Sequence, residues 1–259
     1  MRVERDGAVA TLVLDRPGAM NSLTTAAKED LLAAVSDVAA DDSVRCVVLT
    51  GTGRAFCVGQ DLREHAEVLA RGDVDALWST VPRHYNPVAL ALATMPKPVV
   101  AAVNGVAAGA GASFAMAADL RLVAEGAGFN LAFTGIGLSA DSGATWHLQR
   151  IVGAGRALDL LLRPRTVRAA EALAIGLATE VVPDDALRER AAAVAAALAD
   201  GPTLAYAAVR RAVAFSASHD LATSLEHEAG LMASTGATRD HADAVRAFLA
   251  KETPVFRAR

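Results

Sequence analysis

The chain has 259 residues, 53% hydrophobic and 21% charged, with a net charge of −4. That composition supplies one substantial core and excludes a disordered chain, while the acidic balance and lack of a basic stripe exclude a nucleic-acid binder. Two cysteines, Cys46 and Cys57, form neither a disulfide framework nor a metal-ligand cluster, and the opening MRVERDG is charged where an export signal needs an apolar run. A cytoplasmic, reducing setting is expected.

Residues 9–14 (VATLVL) read as a strand, closed by Asp15-Arg16-Pro17-Gly18. Thr24 or Thr25 caps a helix reaching about Ala40, with Leu31, Leu32, Val35 and Val38 on one face. Residues 45–50 read as a strand buried on both faces, as in a parallel sheet. A glycine-containing loop follows, Asp61 opens a helix, and helical signal resumes over 73–94. The uncharged run 98–118 is long enough to span a bilayer. Asn104-Gly105 interrupts it with a turn signal, however, and its bulk is Ala and Gly, so it reads as buried strand, turn and buried helix rather than a membrane segment. Residues 119–124 form a further strand. The alternation predicts an α/β fold with ligands at the carboxyl ends of strands. Beyond Gly153, residues 158–162, 167–176, 184–199, 203–217, 221–234 and 239–250 all read as helices, leaving only Glu180-Val181-Val182 as strand. The division expected is a core over 1–195 and a helical region over 196–259, with no internal repeat.

Gly51-Thr52-Gly53 follows a strand, but Phe56 occupies the third glycine position of a dinucleotide fingerprint, so a tight turn is expected. Gly153-Ala154-Gly155 fails the same test. Gly111-Ala112-Ser113-Phe114-Ala115 approaches a nucleophile elbow, with Asp141 and His147 following. The last glycine is missing and the acid and histidine share one local segment, so Ser113 reads as a small polar residue in a close-packed helix. Two loops carry more. Gly59-Gln60-Asp61 and Gly109-Ala110-Gly111 each lead into a helix, where backbone N–H groups point outward and can receive an anion.

Four segments together resemble the crotonase (enoyl-CoA hydratase/isomerase) superfamily. Residues 14–23 (LDRPGAMNSL) are similar to its LNRPxxxNAL turn and 53–62 (GRAFCVGQDL) to its GxAFCAGxDL loop. Residues 97–111 are similar to its KPVIAAVNGxAxGGG run and 137–145 to its GLxPDxGGT segment. The resemblance implies a crotonase-like (ClpP/crotonase) spiral of short strands and helices with a carboxyl-terminal helical layer for trimerisation, assembled as a homotrimer or hexamer. It places oxyanion-hole N–H donors at Gln60 and Ala110, which would stabilise the enolate of a thioester. It lays coenzyme A, as part of the substrate, along Gly18, Ala19 and Met20 and along Gln60, Asp61, Leu62 and Arg63. Gly109 and Phe133 would also contact substrate, and Phe248 and Lys251 would reach a neighbouring subunit's ligand. No metal or redox cofactor is implied. Trp78, His84, Tyr85 and Trp146 are further candidates for the acyl pocket.

The two glutamates of the family's hydratases fall on Ser113 and Phe133, neither of which can move the proton. Asp141 stands where the family's isomerases, including the ring-epoxide isomerase of phenylacetyl-CoA breakdown, carry a catalytic aspartate. It is also positioned to cap the helix beginning near Gly143. The activity expected is acyl-CoA isomerisation with Asp141 as proton shuttle. Hydration or another crotonase reaction with Asp141 as sole acid/base, and a catalytically silent acyl-CoA-binding scaffold, are the alternatives.

Overall fold

The computed structural model describes residues 1–259. A hairpin of β1 (Arg2–Asp6) and β2 (Val9–Leu14) turns at Gly7, whose φ of +54° suits glycine. A 3-10 turn (Pro17–Ala19) leads to α1 (Thr25–Ala40), which Thr24 caps by accepting from the Ala27 N–H. Then come β3 (Cys46–Gly51), β4 (Ala55–Cys57), α2 (Leu62–Ala70) and α3 (Val74–Thr80). A π-helical turn (Val81–Tyr85) joins α3 to α4 (Asn86–Thr94), so residues 74–94 are helical as expected, with one wider turn that begins where Pro82 enters.

The next stretch is β5 (Val99–Val103), β6 (Val106–Ala108), α5 (Ala110–Ala117), β7 (Leu120–Ala124) and β8 (Gly128–Asn130). After a short 3-10 turn follow α6 (Ala144–Val152), α7 (Ala154–Leu162), β9 (Thr166–Arg168), α8 (Ala169–Ala174), β10 (Glu180–Val182) and α9 (Leu187–Asp200). The tail is α10 (Thr203–Ser216), α11 (Leu221–Gly236) and α12 (Arg239–Ala250).

The strands form two sheets, ordered β1-β2-β3-β5-β7-β10 and β4-β6-β8-β9. Within the first, every pairing after the hairpin is parallel, and β3 and β5 are buried along nearly all their length, which explains their unbroken apolar runs. Each of β3, β5 and β7 is followed directly by a short strand of the second sheet, so the chain winds as a spiral laying one strand in each sheet per turn. The structure thus repeats where the sequence shows no repeat. Helical periodicity over 167–176 is also corrected: Thr166–Arg168 pairs antiparallel with β8 before α8 begins.

One hydrophobic core runs from Ala10 to Ala199, and α9 packs on the large sheet, so the core extends through this helix and past residue 195. α10 to α12 bury few side chains. No single helix is long and apolar enough to cross a membrane.

Candidate active site

The neighbouring parallel strands β4, β6 and β8 end at Cys57, Ala108 and Asn130, and the chain leaving each one supplies a wall of the same site: Gln60, Ala110 and Phe133. This is the carboxyl-end placement expected of an α/β sheet.

Asparagines lock the loops feeding these strands. Asn21 sits in a left-handed conformation after Met20, which does the same. Its Nδ2 donates to the carbonyls of Thr52, Ala55 and Phe56, at 2.9, 2.8 and 3.2 Å. Asn104 Oδ1 accepts from the Gly51 N–H, and its Nδ2 donates to the Gly53 and Ala55 carbonyls. The Gly51-Thr52-Gly53 turn is therefore held by side-chain amides, as a structural turn. Gly18, Ala19 and Met20 line the adjoining 3-10 turn.

Asp61 couples that turn to the Gln60 loop. Its carboxylate accepts from the Arg63 and Glu64 N–H groups, capping α2, and meets Ser22 Oγ at 2.8 Å and Arg16 at 3.2 Å. Burial alone would raise this carboxyl, but the Ser22 hydroxyl, the Glu64 N–H and Arg16 hold it below the ordinary carboxylate value. With its oxygens so engaged, Asp61 can offer a ligand its backbone. Leu62 and Arg63 open α2 beside it.

Gln60 lies between two backbone bonds to Leu23, one from the Leu23 N–H to the Gly59 carbonyl and one from the Asp61 N–H to the Leu23 carbonyl. Its own N–H donates to no protein acceptor. Gly59, at φ +81°, turns so tightly here that an added Cβ would lie 3.2 Å from the Ala110 nitrogen. That nitrogen is the first of α5, preceded by Gly109 at φ +50° and ψ −126°, a conformation for glycine alone, and it too has no intrahelical partner. Two N–H groups without a protein acceptor thus lie on adjoining loops, one just before α2 and one at the start of α5, a pairing suited to an oxyanion hole.

Phe133 stands against Gly109: a Cβ there would be 4.0 Å from its ring. Ser113, fully buried in α5, donates through Oγ to the Gly109 carbonyl at 3.2 Å and toward the Asp141 carbonyl at 3.5 Å. A hydroxyl so engaged inside a helix is not poised as a nucleophile. The same bonds bring Asp141 to the start of α5.

Asp141 does not cap α6 with its side chain. Gly143 occupies that position, and it is the Asp141 carbonyl that accepts from the Ala144 N–H. The carboxylate accepts only from the Ser142 hydroxyl, at 2.7 Å. Burial raises its pKa above the ordinary value, with the Ser142 hydroxyl and the Lys28 charge pulling partly back. A carboxylate with spare lone pairs and raised basicity is equipped to carry a proton.

Lys28 and Thr80 carry a part of the site that motif reading missed. Lys28 Nζ donates to Gln60 Oε1 at 3.1 Å and Thr80 Oγ1 at 2.6 Å, and the Tyr85 hydroxyl donates to the same Gln60 oxygen at 2.5 Å. The available signal was a lysine on the apolar stripe of α1, in line with Leu31, Val35 and Val38. Of the other pocket candidates, His84 bonds Thr80, Trp78 meets the edge of His65, and Trp146 is exposed with Arg150 stacked on it. Phe248 stands on α12 and Lys251 is the left-handed residue that ends it; α12 packs on α11, so a single chain does not bring them to these loops.

Comparison with known proteins agrees with this geometry. The sequence profile of the enoyl-CoA hydratase/isomerase family matches residues 4–259. The chain is 40% identical to the 1,2-epoxyphenylacetyl-CoA isomerase of Escherichia coli K12, over 96% of this chain and 94% of that one. It is 43% identical to a Rhodobacter capsulatus protein assigned as an enoyl-CoA hydratase, over 100% and 98%. A crystal structure of a Mycobacterium abscessus protein assigned to the enoyl-CoA hydratase/isomerases superposes with a TM-score of 0.95 at 44% identity, covering all of both chains. Spiral fold, paired N–H donors and sequence relationship lead to one conclusion: the chain belongs to the enoyl-CoA hydratase/isomerase (crotonase) family and is an enzyme of that family.

Proposed function

We propose that this enzyme isomerises an acyl-CoA through a thioester enolate, moving a double bond or opening a ring epoxide. The Gln60 and Ala110 N–H groups receive the thioester oxygen as it gains charge. Asp141 takes a proton from one carbon and returns it two carbons away, leaving the carboxylate as it began. The observation that carries this reading is that Asp141 is the carboxylate left free at the site, while Ser113 and Phe133 occupy the positions of the hydratase glutamates. Phe133 turns an apolar ring to Gly109, where it can hold no water for attack. The coenzyme runs along Gly18 to Met20 and the backbone of Gln60 to Arg63. Phe248 and Lys251 reach the ligand of a neighbouring subunit in a trimer or hexamer. A cytoplasmic location accompanies the reading, supported by two free, buried cysteines.

The test is a panel of unsaturated and epoxidised acyl-CoAs followed by mass and ultraviolet spectrum. Isomerisation changes the spectrum at constant mass. A product heavier by one water makes the enzyme a hydratase, and no change across the panel with binding intact ends the proposal.

A further inference from the structure

We propose that Lys28 is a positioning residue of the oxyanion hole, holding the Gln60 peptide in place through the Gln60 side chain. The proposal rests on the reading of the Gln60 N–H as an oxyanion donor.

Lys28 is 2% exposed, and its ammonium forms no ion pair. Its partners are neutral: Thr80 Oγ1, Gln60 Oε1, and the Tyr85 ring, whose centroid lies 5.3 Å away. Burial lowers its pKa, while the charges of Glu64, Asp141, Asp61 and Glu29 favour the ammonium. Packing gives no reason for such a residue, because an apolar side chain of similar length would fill the space without desolvating a charge.

What the lysine does hold is one amide. Gln60 Oε1 accepts from Lys28 and from the Tyr85 hydroxyl, and Gln60 Nε2 donates weakly to the Asp61 carbonyl at 3.4 Å. The main chain on either side is fixed by its two bonds to Leu23. The peptide carrying the free N–H is therefore gripped from both flanks and from the tip of its own side chain. The grip is assembled from separate elements: Lys28 from α1, Thr80 from the end of α3, and Tyr85 from the π-helical turn. A π-turn inserted at that point in the 73–94 helix brings Tyr85 onto Gln60, a placement such turns commonly serve at functional sites. An oxyanion donor works by being held in place before charge develops, so a grip on its amide bears directly on how strongly it polarises a carbonyl.

The test uses 4-aminobenzoyl-CoA, a thioester with no α-hydrogen and no isomerisable double bond. Its amino-to-carbonyl chromophore moves to longer wavelength as the thioester oxygen is polarised. Wild type at saturation is expected to show this shift. Lys28→Met should lose most of it while binding still saturates and the melting temperature stays equal or rises. Lys28→Arg, which keeps a cation and donor, should recover part. A full wild-type shift in folded Lys28→Met overturns the proposal, as does a shift lost only in step with folding. Should Lys28→Met fail to fold, Tyr85→Phe removes the other donor to the same oxygen and is judged by the same criteria. Absence of any shift in liganded wild type would instead overturn the oxyanion reading of Gln60 itself.

Discussion

At the scale of single residues, the side chain of Asp141 is free of structural duty, because the helix after it is started by backbone alone. Asp141→Asn keeps size and polarity but cannot accept a proton. Turnover is expected to fall by roughly 10²–10⁴-fold, the range for losing a general base. The effect on stability has a definite sign. A carboxyl whose folded pKa is raised binds its proton more tightly in the folded state, so its stabilising contribution is complete below the unfolded value. That contribution is lost as pH rises through the raised value. Ionised Asp141 thus costs stability at neutral pH, and Asp141→Asn should melt at the wild-type temperature or above it. A clear drop in melting temperature would mean the carboxylate has a structural role after all. The same shift predicts that the acidic limb of kcat/KM lies above the ordinary carboxylate value of about 4. A rate profile with its limb at or below that value would assign the titration to another group.

At the scale of elements, the site depends on two helix starts and a turn meeting at close quarters. Gly59 has φ +81°, and a Cβ there would lie 3.1 Å from the Ala108 carbonyl oxygen and 3.2 Å from the Ala110 nitrogen. Gly59→Ala is expected to lose about 1–2 kcal/mol of stability from the left-handed backbone. Turnover should fall further than that cost, by ~10²–10³-fold, because the Ala110 donor is displaced. Denaturant unfolding and steady-state kinetics on the same sample separate the two effects, and an active but destabilised protein would show the donors unmoved. Four loop and helix assignments were open to reading from sequence at this scale: the Thr24 cap, the Asp61 cap, and the starts of α2 and α5. Each depends on neighbours along the chain. The irregularity between α3 and α4 was marked in the sequence by Pro82 and Pro87, which lack the N–H an interior helical turn needs, but its π-helical form was not, since that depends on how the turn packs.

At the scale of the molecule, the helical tail buries little within one chain. Phe248 is 81% exposed on α12, and Leu221, Met232 and Leu249 are similarly open. Apolar surface of this extent on a carboxyl-terminal layer is expected to be covered by other copies of the chain. Light scattering should give three or six times the chain mass at micromolar concentration, and Phe248→Asp should shift it toward monomer. A wild-type monomer would overturn the assembly.

Sequence alone determined the α/β core, the strands β2, β3, β5 and β7, the helical tail and the loops carrying Gln60, Ala110 and Asp141, because each is written in a contiguous stretch; β1, mostly polar and exposed, was not read. A continuous apolar run or a glycine turn before a helix needs no distant partner to be read. Tertiary structure decided what depends on distant partners. Strands of three residues such as β6, β8 and β9 show no period and exist because their hydrogen bonds go to one another. Lys28 is buried because Gln60, Thr80 and Tyr85, far along the chain, receive it there. The Asp141 carboxylate keeps spare lone pairs because the folded backbone starts α6 without its side chain.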